Sequence, residues 1–265
     1  MTFYQLTKKP ASELAAIKQD CLEKCTAPLD GMWMSFADMA DHFAIETEGT
    51  TVGYCVINAE KKLLQFYVTA QCDAAEAFQE TVSRMRVTGA FAATCDPQFF
   101  SLCRSLQKTS RINALMYQLP ETAQPTDAVF SDEHKFSRIN SGEMMRAIEF
   151  AVAALGADRE WLSGYYTGLI ARDELFGLRQ QDQLIAVGEL RASDAQQPCA
   201  DLGVIVGKDQ RRRGIATQIL RELVRRSCRQ GLKPICSTEY DNIAAQKAIE
   251  SAGFKSNHQI IDVAF

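Results

Sequence analysis

Glycine and proline are sparse, 15 and 7 of 265 residues, which excludes a collagen-like or low-complexity chain. Long apolar runs are missing: no stretch reaches the roughly 18 residues that cross a bilayer. Positive charge is not in excess either. Lys and Arg number 29 against 33 Asp and Glu, a net charge of −4, so no overall basic field attracts nucleic acid. Histidine occurs three times, at His42, His134 and His258, without HExxH or zinc-finger spacing. The nine cysteines are odd in number and scattered, and none forms a CxxC pair. They read as reduced, mostly buried thiols rather than a disulfide framework or a metal site. Met1–Pro10 carries Lys8 and Lys9 with no apolar core behind them, so it does not read as a secretory signal. What is present is ordinary globular material, 46% hydrophobic and 23% charged, long enough for two average domains or one large one. The expectation is a soluble, cytoplasmic monomer or homodimer, with neither membrane nor nucleic acid as partner.

The periodicity of the apolar residues divides the chain into two similar halves. Ala11–Cys25 has helical spacing, with Ser12 as its candidate cap. Three strand-like runs follow, His42–Glu48, Thr51–Asn58 and Lys62–Thr69. Then come a helix at Asp73–Arg86, a strand at Gly89–Ala93, a helix opened by proline at Pro97–Leu106, and a strand at Ile112–Gln118. Pro120–Asp127, with two prolines, reads as the linker. The second half repeats the order: helices at Ser141–Leu155, stopped by Gly156, and Trp161–Arg172; strands at Glu174–Arg179, Leu184–Ala192 and Asp201–Val206. A long helix Gly214–Arg229, a strand Lys233–Thr238, a helix Asn242–Ala252 and a strand near Gln259–Phe265 complete it. Antiparallel strands first and βα units afterwards predict an α/β fold: two domains, 1–122 and 128–265, each a mixed sheet flanked by helices.

The most informative segment is Asp201–Leu220, DLGVIVGKDQRRRGIATQIL. An apolar strand runs into Arg211-Arg212-Arg213-Gly214-Ile215-Ala216, and a helix begins at once. Such a turn leaves backbone N–H groups at a helix N-terminus, where the helix dipole adds positive potential. Gly214 and Ala216 are small enough to let a diphosphate reach the main chain, and the three arginines supply charge. Neither GxxxxGK[ST] nor a GxGxxG after a strand occurs, so two better-known phosphate loops are excluded.

R-x-x-G-x-A between a strand and a long helix resembles the acetyl-coenzyme A signature of the GNAT N-acetyltransferase superfamily. The downstream Asn242, Ala245 and Ala252-Gly253-Phe254 are similar to its second motif. The resemblance spans roughly Phe130 to Phe265. It implies acetyl-CoA as co-substrate without a metal. The backbone of Val204, Ile205 and Val206 would pair with the pantetheine arm, and the turn Arg211, Arg212, Arg213, Gly214, Ile215, Ala216 and Thr217 would cradle the diphosphate. Asn242 would lie near the coenzyme. A backbone N–H near Val204 or Ile205 would stabilise the oxyanion. Many family members place a tyrosine acid four residues before the Gly-Phe pair, where this chain has Ile249. Tyr240, Ser237 or water would then protonate the thiolate, or it would leave unassisted. Candidate bases are Glu189, then Asp201, then Glu239. Trp161, Tyr165 and Tyr166 fall in the region that lines the family's acceptor pocket, although as helix-spaced aromatics they read as core. Arg221, Arg225, Arg226 and Arg229 read as a solvated helix face.

The first half lacks the phosphate turn: after Phe66–Thr69 it reads Ala70-Gln71-Cys72-Asp73-Ala74, without glycine or arginine. The implied function is N-acetyl transfer, by direct attack, to a primary amine on a small molecule or peptide. The first half would be degenerate and the second catalytic. The alternative is a non-catalytic acyl-CoA binding or sensing protein.

Overall fold

The computed structural model describes residues 4–265. Strand β1 (Gln5–Lys8) precedes helices α1 (Ala15–Lys24) and α2 (Gly31–Asp38). A meander of β2 (Asp41–Thr47), β3 (Thr50–Ile57) and β4 (Lys62–Val68) leads to α3 (Ala74–Met85), β5 (Gly89–Ala93), α4 (Pro97–Leu106) and β6 (Thr109–Gln118). After an irregular stretch that includes Pro120–Asp127 come β7 (His134–Arg138), α5 (Met144–Leu155) and α6 (Arg159–Ala171). A second meander, β8 (Leu175–Gln180), β9 (Gln183–Ala192) and β10 (Cys199–Val206), leads to α7 (Ile215–Arg229), β11 (Lys233–Glu239), α8 (Ile243–Ser251) and β12 (Lys255–Ala264).

Local chemistry accounts for most of these boundaries. Asp73 and Asp96 cap α3 and α4, and Pro97 fills the first turn of α4, where its missing N–H costs nothing. Gly156 ends α5 in the left-handed region at φ 72°. The first helical stretch begins at Ala11, where the spacing places it, but as a 3-10 turn (Ala11–Leu14) ahead of α1, and Pro10, not Ser12, holds its N-cap position. β1, α2 and β7 were not expected. In α2, GMWMSFAD carries apolar residues on several faces and so lacks the one-sided period that marks a helix. Asp30 caps it, accepting from the Trp33 N–H at 2.8 Å.

The chain divides into two compact units, residues up to Met116 with Ser256–Phe265, and Tyr117–Lys255. In the first unit the strand order is β1-β2-β3-β4-β5-β12-β6. β4 and β5 are parallel, while β12 runs antiparallel to β5 with Ile260 opposite Ala93. The sequence placed the terminal strand with the second half; its ladder lies in the first unit. It is held there by Asp262, ion-paired to Lys62 and, at 3.1 Å, to Arg111. Phe265 meets Phe78 edge-on at 5.8 Å, beside the Phe66–Phe78 pair at 5.0 Å. Each fully buried phenylalanine of this group contributes about 2–3 kcal/mol.

The second unit has the order β11-β10-β9-β8-β7, with β10 and β11 parallel and the other pairs antiparallel. Ile148, Leu162, Tyr166, Leu169, Leu175 and Val187 form one core under α5 and α6. On the opposite face α7 sits tightly on the sheet: a Cβ on Gly188 would come within 2.8 Å of Ile219 and 3.2 Å of Leu223. Of the arginines read as a solvated face of α7, only Arg229 is exposed; Arg221, Arg225 and Arg226 are half-buried and bonded. Glu222, buried, takes Arg225 at 2.6 Å and Arg226 at 2.8 Å. Arg226 also lies over the rings of Phe136 and Phe176, at 5.3 and 4.8 Å. Arg221 donates to the Ser251 carbonyl at 2.9 Å.

Candidate active site

The site begins with a parting of two strands. β10 pairs with β9 from Ala200 through Val206, but with β11 only at Cys199, Ala200 and Asp201. Beyond Asp201 the main chain of Leu202–Val206 has β9 on one side and no ladder to β11 on the other. Val204, Ile205 and Val206 lie on that open edge.

The chain leaving β10 turns at Gly207 and passes a 3-10 turn at Lys208–Gln210. It reaches α7 through Arg212 at φ 65° and Gly214 at φ 76°. Helices α2, α3, α4, α6 and α8 each begin on an Asp or Asn side chain that accepts a backbone N–H of the first turn. α1 and α5 have no side-chain cap but continue directly from 3-10 turns, whereas α7 has none and starts afresh after the left-handed Gly214. The first-turn N–H groups of Ile215, Ala216 and Thr217 therefore open outward with the positive end of the helix dipole behind them. A Cβ on Gly214 would meet nothing within 4 Å. Uncapped donors beside open space suit an anion.

The arginines of the turn divide. Arg211 is committed to the fold, donating to the carbonyls of Val206 at 3.2 Å and Ala154 at 3.1 Å. Arg212 and Arg213 are exposed and, among the described residues, make no side-chain hydrogen bond or ion pair. Two further coenzyme candidates are also tied into the frame. Thr217 donates its hydroxyl to the Ala248 carbonyl at 3.3 Å, and Asn242 caps α8 by accepting from the Ala245 N–H at 3.2 Å.

Register places the carboxylates. Asp201 stands opposite Arg191 and Gly203 opposite Glu189, so these residues share the face covered by α5 and α6. Glu189 is buried, and its Oε2 accepts from the Tyr165 phenol at 2.6 Å with Arg191 Nε at 3.5 Å. The same oxygen would lie 3.1 Å from a Cβ on Gly203, so a larger residue at 203 would crowd it. Burial pushes the Glu189 carboxyl above the usual range. Arg191 and the Tyr165 hydroxyl oppose that shift, and Glu174 adds to it. Asp201 is buried as well, whereas Glu239 and Tyr240 are exposed at the far end of β11. Ile249 is a buried apolar side chain of α8, so no hydroxyl occupies that position.

Of the three aromatics read as core, Tyr166 is fully buried, with its hydroxyl unpartnered. Trp161 departs from that reading: it is 39% exposed and stacks on Tyr165 at 4.8 Å. The link from Tyr165 to Glu189 was invisible in the sequence because α6 and β9 meet only after folding.

The equivalent positions of the first unit are filled from within. β4 pairs with β5 only at Lys62 and Leu63. Farther along, the Gln98 side-chain amide accepts from the N–H of Val68 and donates to its carbonyl, each at 3.0 Å. Asp73 accepts from the N–H groups of Ala75 and Glu76 at 2.9 and 3.0 Å, placing a fixed carboxylate at the start of α3.

Comparison with known proteins assigns the chain to a family. A profile described as an acetyltransferase (GNAT) domain matches residues 11–119, and one described as the acetyltransferase (GNAT) family matches 143–254. An acetyltransferase of the GNAT family from Colwellia psychrerythraea is 35% identical, with a TM-score of 0.91 over 98% of this chain and 99% of that one. The chain belongs to the GNAT family. It is an acetyltransferase with two GNAT domains in tandem, and the family uses acetyl-CoA. Two more distant structures share the fold. A tandem GNAT protein from the clavulanic acid biosynthesis pathway has 11% identity and a TM-score of 0.70, over 99% of this chain and 98% of that one. A GCN5-related N-acetyltransferase from Sphaerobacter thermophilus has 12% identity and a TM-score of 0.69, over 98% and 94%. A comparison with functionally curated proteins gave no match. Among the described residues no helix is long and apolar enough to cross a membrane, and no cluster of His, Cys, Asp and Glu is arranged to hold a metal ion.

Proposed function

We propose that the second unit transfers the acetyl group of acetyl-CoA to a primary amine of a small molecule or peptide. The observation that carries this reading is the parting of β10 from β11 after Asp201, directly ahead of an uncapped helix start at Gly214. The open edge at Val204–Val206 suits the amide-bearing pantetheine arm, which would pair with it as an extra strand. The N–H groups of Ile215–Thr217, with Arg212 and Arg213 beside them, suit the diphosphate. Arg211, Thr217 and Asn242 support the turn and the helix behind it through the bonds described above.

Glu189 is our candidate base, since its buried carboxylate lies against Gly203 on the open strand. It takes one proton from the acceptor's ammonium, freeing the nitrogen lone pair. The nitrogen attacks the thioester carbon; a C–N bond forms and the C–S bond breaks. A second N–H proton passes to the departing sulfur through Tyr240, Ser237 or water, so the products are an amide, a thiol and one proton on Glu189. A backbone N–H near Val204 or Ile205 stabilises the oxyanion in between. Asp201 and Glu239 follow as alternative bases.

One observation favours a second reading, an acyl-CoA binding or sensing protein: Ile249, where many relatives carry the tyrosine acid, is apolar and buried. Thiol release from acetyl-CoA over a panel of amines separates the two. Amine-dependent release that falls in Glu189→Gln supports transfer. Coenzyme binding without release for any amine supports the second reading, and absence of binding defeats both.

A further inference from the structure

Glu189 carries a contact pattern that base catalysis alone does not require. Oε2 holds the Tyr165 hydroxyl at 2.6 Å and faces Arg191 Nε at 3.5 Å. No hydrogen bond from any described residue reaches Oε1. We propose that Tyr165 is a positioning residue for acyl transfer: its phenol clamps Oε2 of Glu189 so that Oε1 is left to take the amine proton. The inference rests on the reading of Glu189 as the base.

The packing around the pair supports a built clamp rather than a chance contact. Tyr165 is held on its outer side by the stacked indole of Trp161, and Asp158 fixes that turn of α6 by accepting from the Trp161 N–H at 2.8 Å. On the inner side, the next residue, Tyr166, is fully buried, which pins the helix to the sheet. The phenol therefore has few alternative positions, and Glu189 meets a donor with the geometry of a charge-assisted hydrogen bond. The charged and titratable groups facing Glu189 are Arg191 on its own strand, Tyr165 and Tyr166 on α6, and Glu174 ahead of β8, itself paired to Arg172 at 2.8 Å. On β10, Asp201 stands opposite Arg191. Only Arg191 and Tyr165 favour the ionised form of Glu189. Burial pushes the Tyr165 phenol itself far up, so it stays a donor at any working pH.

The test compares the full-length chain with its Tyr165→Phe and Glu189→Gln variants. Glutamate labelled with carbon-13 at the carboxyl carbon is titrated by NMR, and the Glu189 signal is identified by its absence in Glu189→Gln. Loss of the phenol should raise the Glu189 midpoint by about one pH unit. The acid limb of amine-dependent thiol release should move up with it, while KM for acetyl-CoA stays at the wild-type value. If Tyr165→Phe lowers the yield of folded protein, 3-fluorotyrosine at position 165 supplies the opposite change. As a stronger donor it should lower the midpoint. A midpoint and acid limb that coincide with wild type in these variants would overturn the clamp, even if kcat falls. Full activity in Glu189→Gln would instead overturn the base reading, and the clamp's catalytic role with it.

Discussion

Gly214 is the residue on which coenzyme binding turns in this reading. Its φ of 76° is a conformation that side chains resist, yet a Cβ there would touch nothing in the protein. Gly214→Val therefore adds about 1–3 kcal/mol of backbone strain and a side chain in the space assigned to the diphosphate. The variant should fold but lose the rise in Tm that coenzyme A gives the wild type by mass action. A thermal shift of wild-type size in Gly214→Val would remove the turn from the site. The arginines beside it make a related expectation. Arg212→Ala with Arg213→Ala should weaken coenzyme binding, measured by titration calorimetry, without lowering Tm, because neither side chain holds the fold. Arg211→Ala should lower Tm, since it releases the carbonyls of Val206 and Ala154.

At the scale of the element, helix starts decide what each half of the chain does with a helix dipole. α3 and α4 spend theirs on Asp73 and Asp96, and α7 leaves its own uncapped. Asp96 also titrates usefully. Burial raises its carboxyl from 3.8 to about 6, and the hydrogen bond from Phe99 opposes the rise only in part. A group whose folded pKa is raised favours folding most fully below its unfolded value and loses that contribution as pH climbs through the folded one. Stability linked to Asp96 should therefore decline between about pH 4 and 6, by about 3 kcal/mol at most. Asp96→Asn keeps an oxygen that can accept from Phe99 and has no charge to bury. In urea unfolding it should match the wild type near pH 3.5 and be more stable at pH 8. A difference independent of pH would show that the carboxyl is not buried as described.

For the whole molecule the consequence is stoichiometry. The second unit has an open strand edge and an uncapped helix start. In the first unit Gln98 occupies the edge at Val68, and Asp73 occupies the start of α3. A diphosphate at α3 would have to displace a bonded carboxylate of its own sign, which is unfavourable at contact distance. Calorimetric titration should give a stoichiometry near one coenzyme per chain, by the argument from a single uncapped phosphate turn. Two equivalent sites would mean that Gln98 and Asp73 yield to the ligand.

Local pattern was enough to place the meanders, the helices capped by Asp or opened by proline, and the RRRGIA turn, because alternation, capping and small residues act within a few positions of themselves. α2 and β7 escaped because one is apolar on several sides and the other is short, polar and partly exposed. The Arg-rich face of α7 was misread for a different reason: whether a guanidinium is solvated depends on Glu222, Phe136 and Phe176 arriving from the same helix and from distant strands. Tertiary structure alone decided three further matters. It put β12 in the ladder of the first unit, since a strand's pattern says that it will pair but not with which edge. It separated Arg211 from Arg212 and Arg213, identical residues in sequence, by offering carbonyls to one and solvent to the others. And it brought Tyr165 to Glu189, 24 residues away, because a buried carboxylate needs a donor and the Tyr165 side chain reaches it from α6.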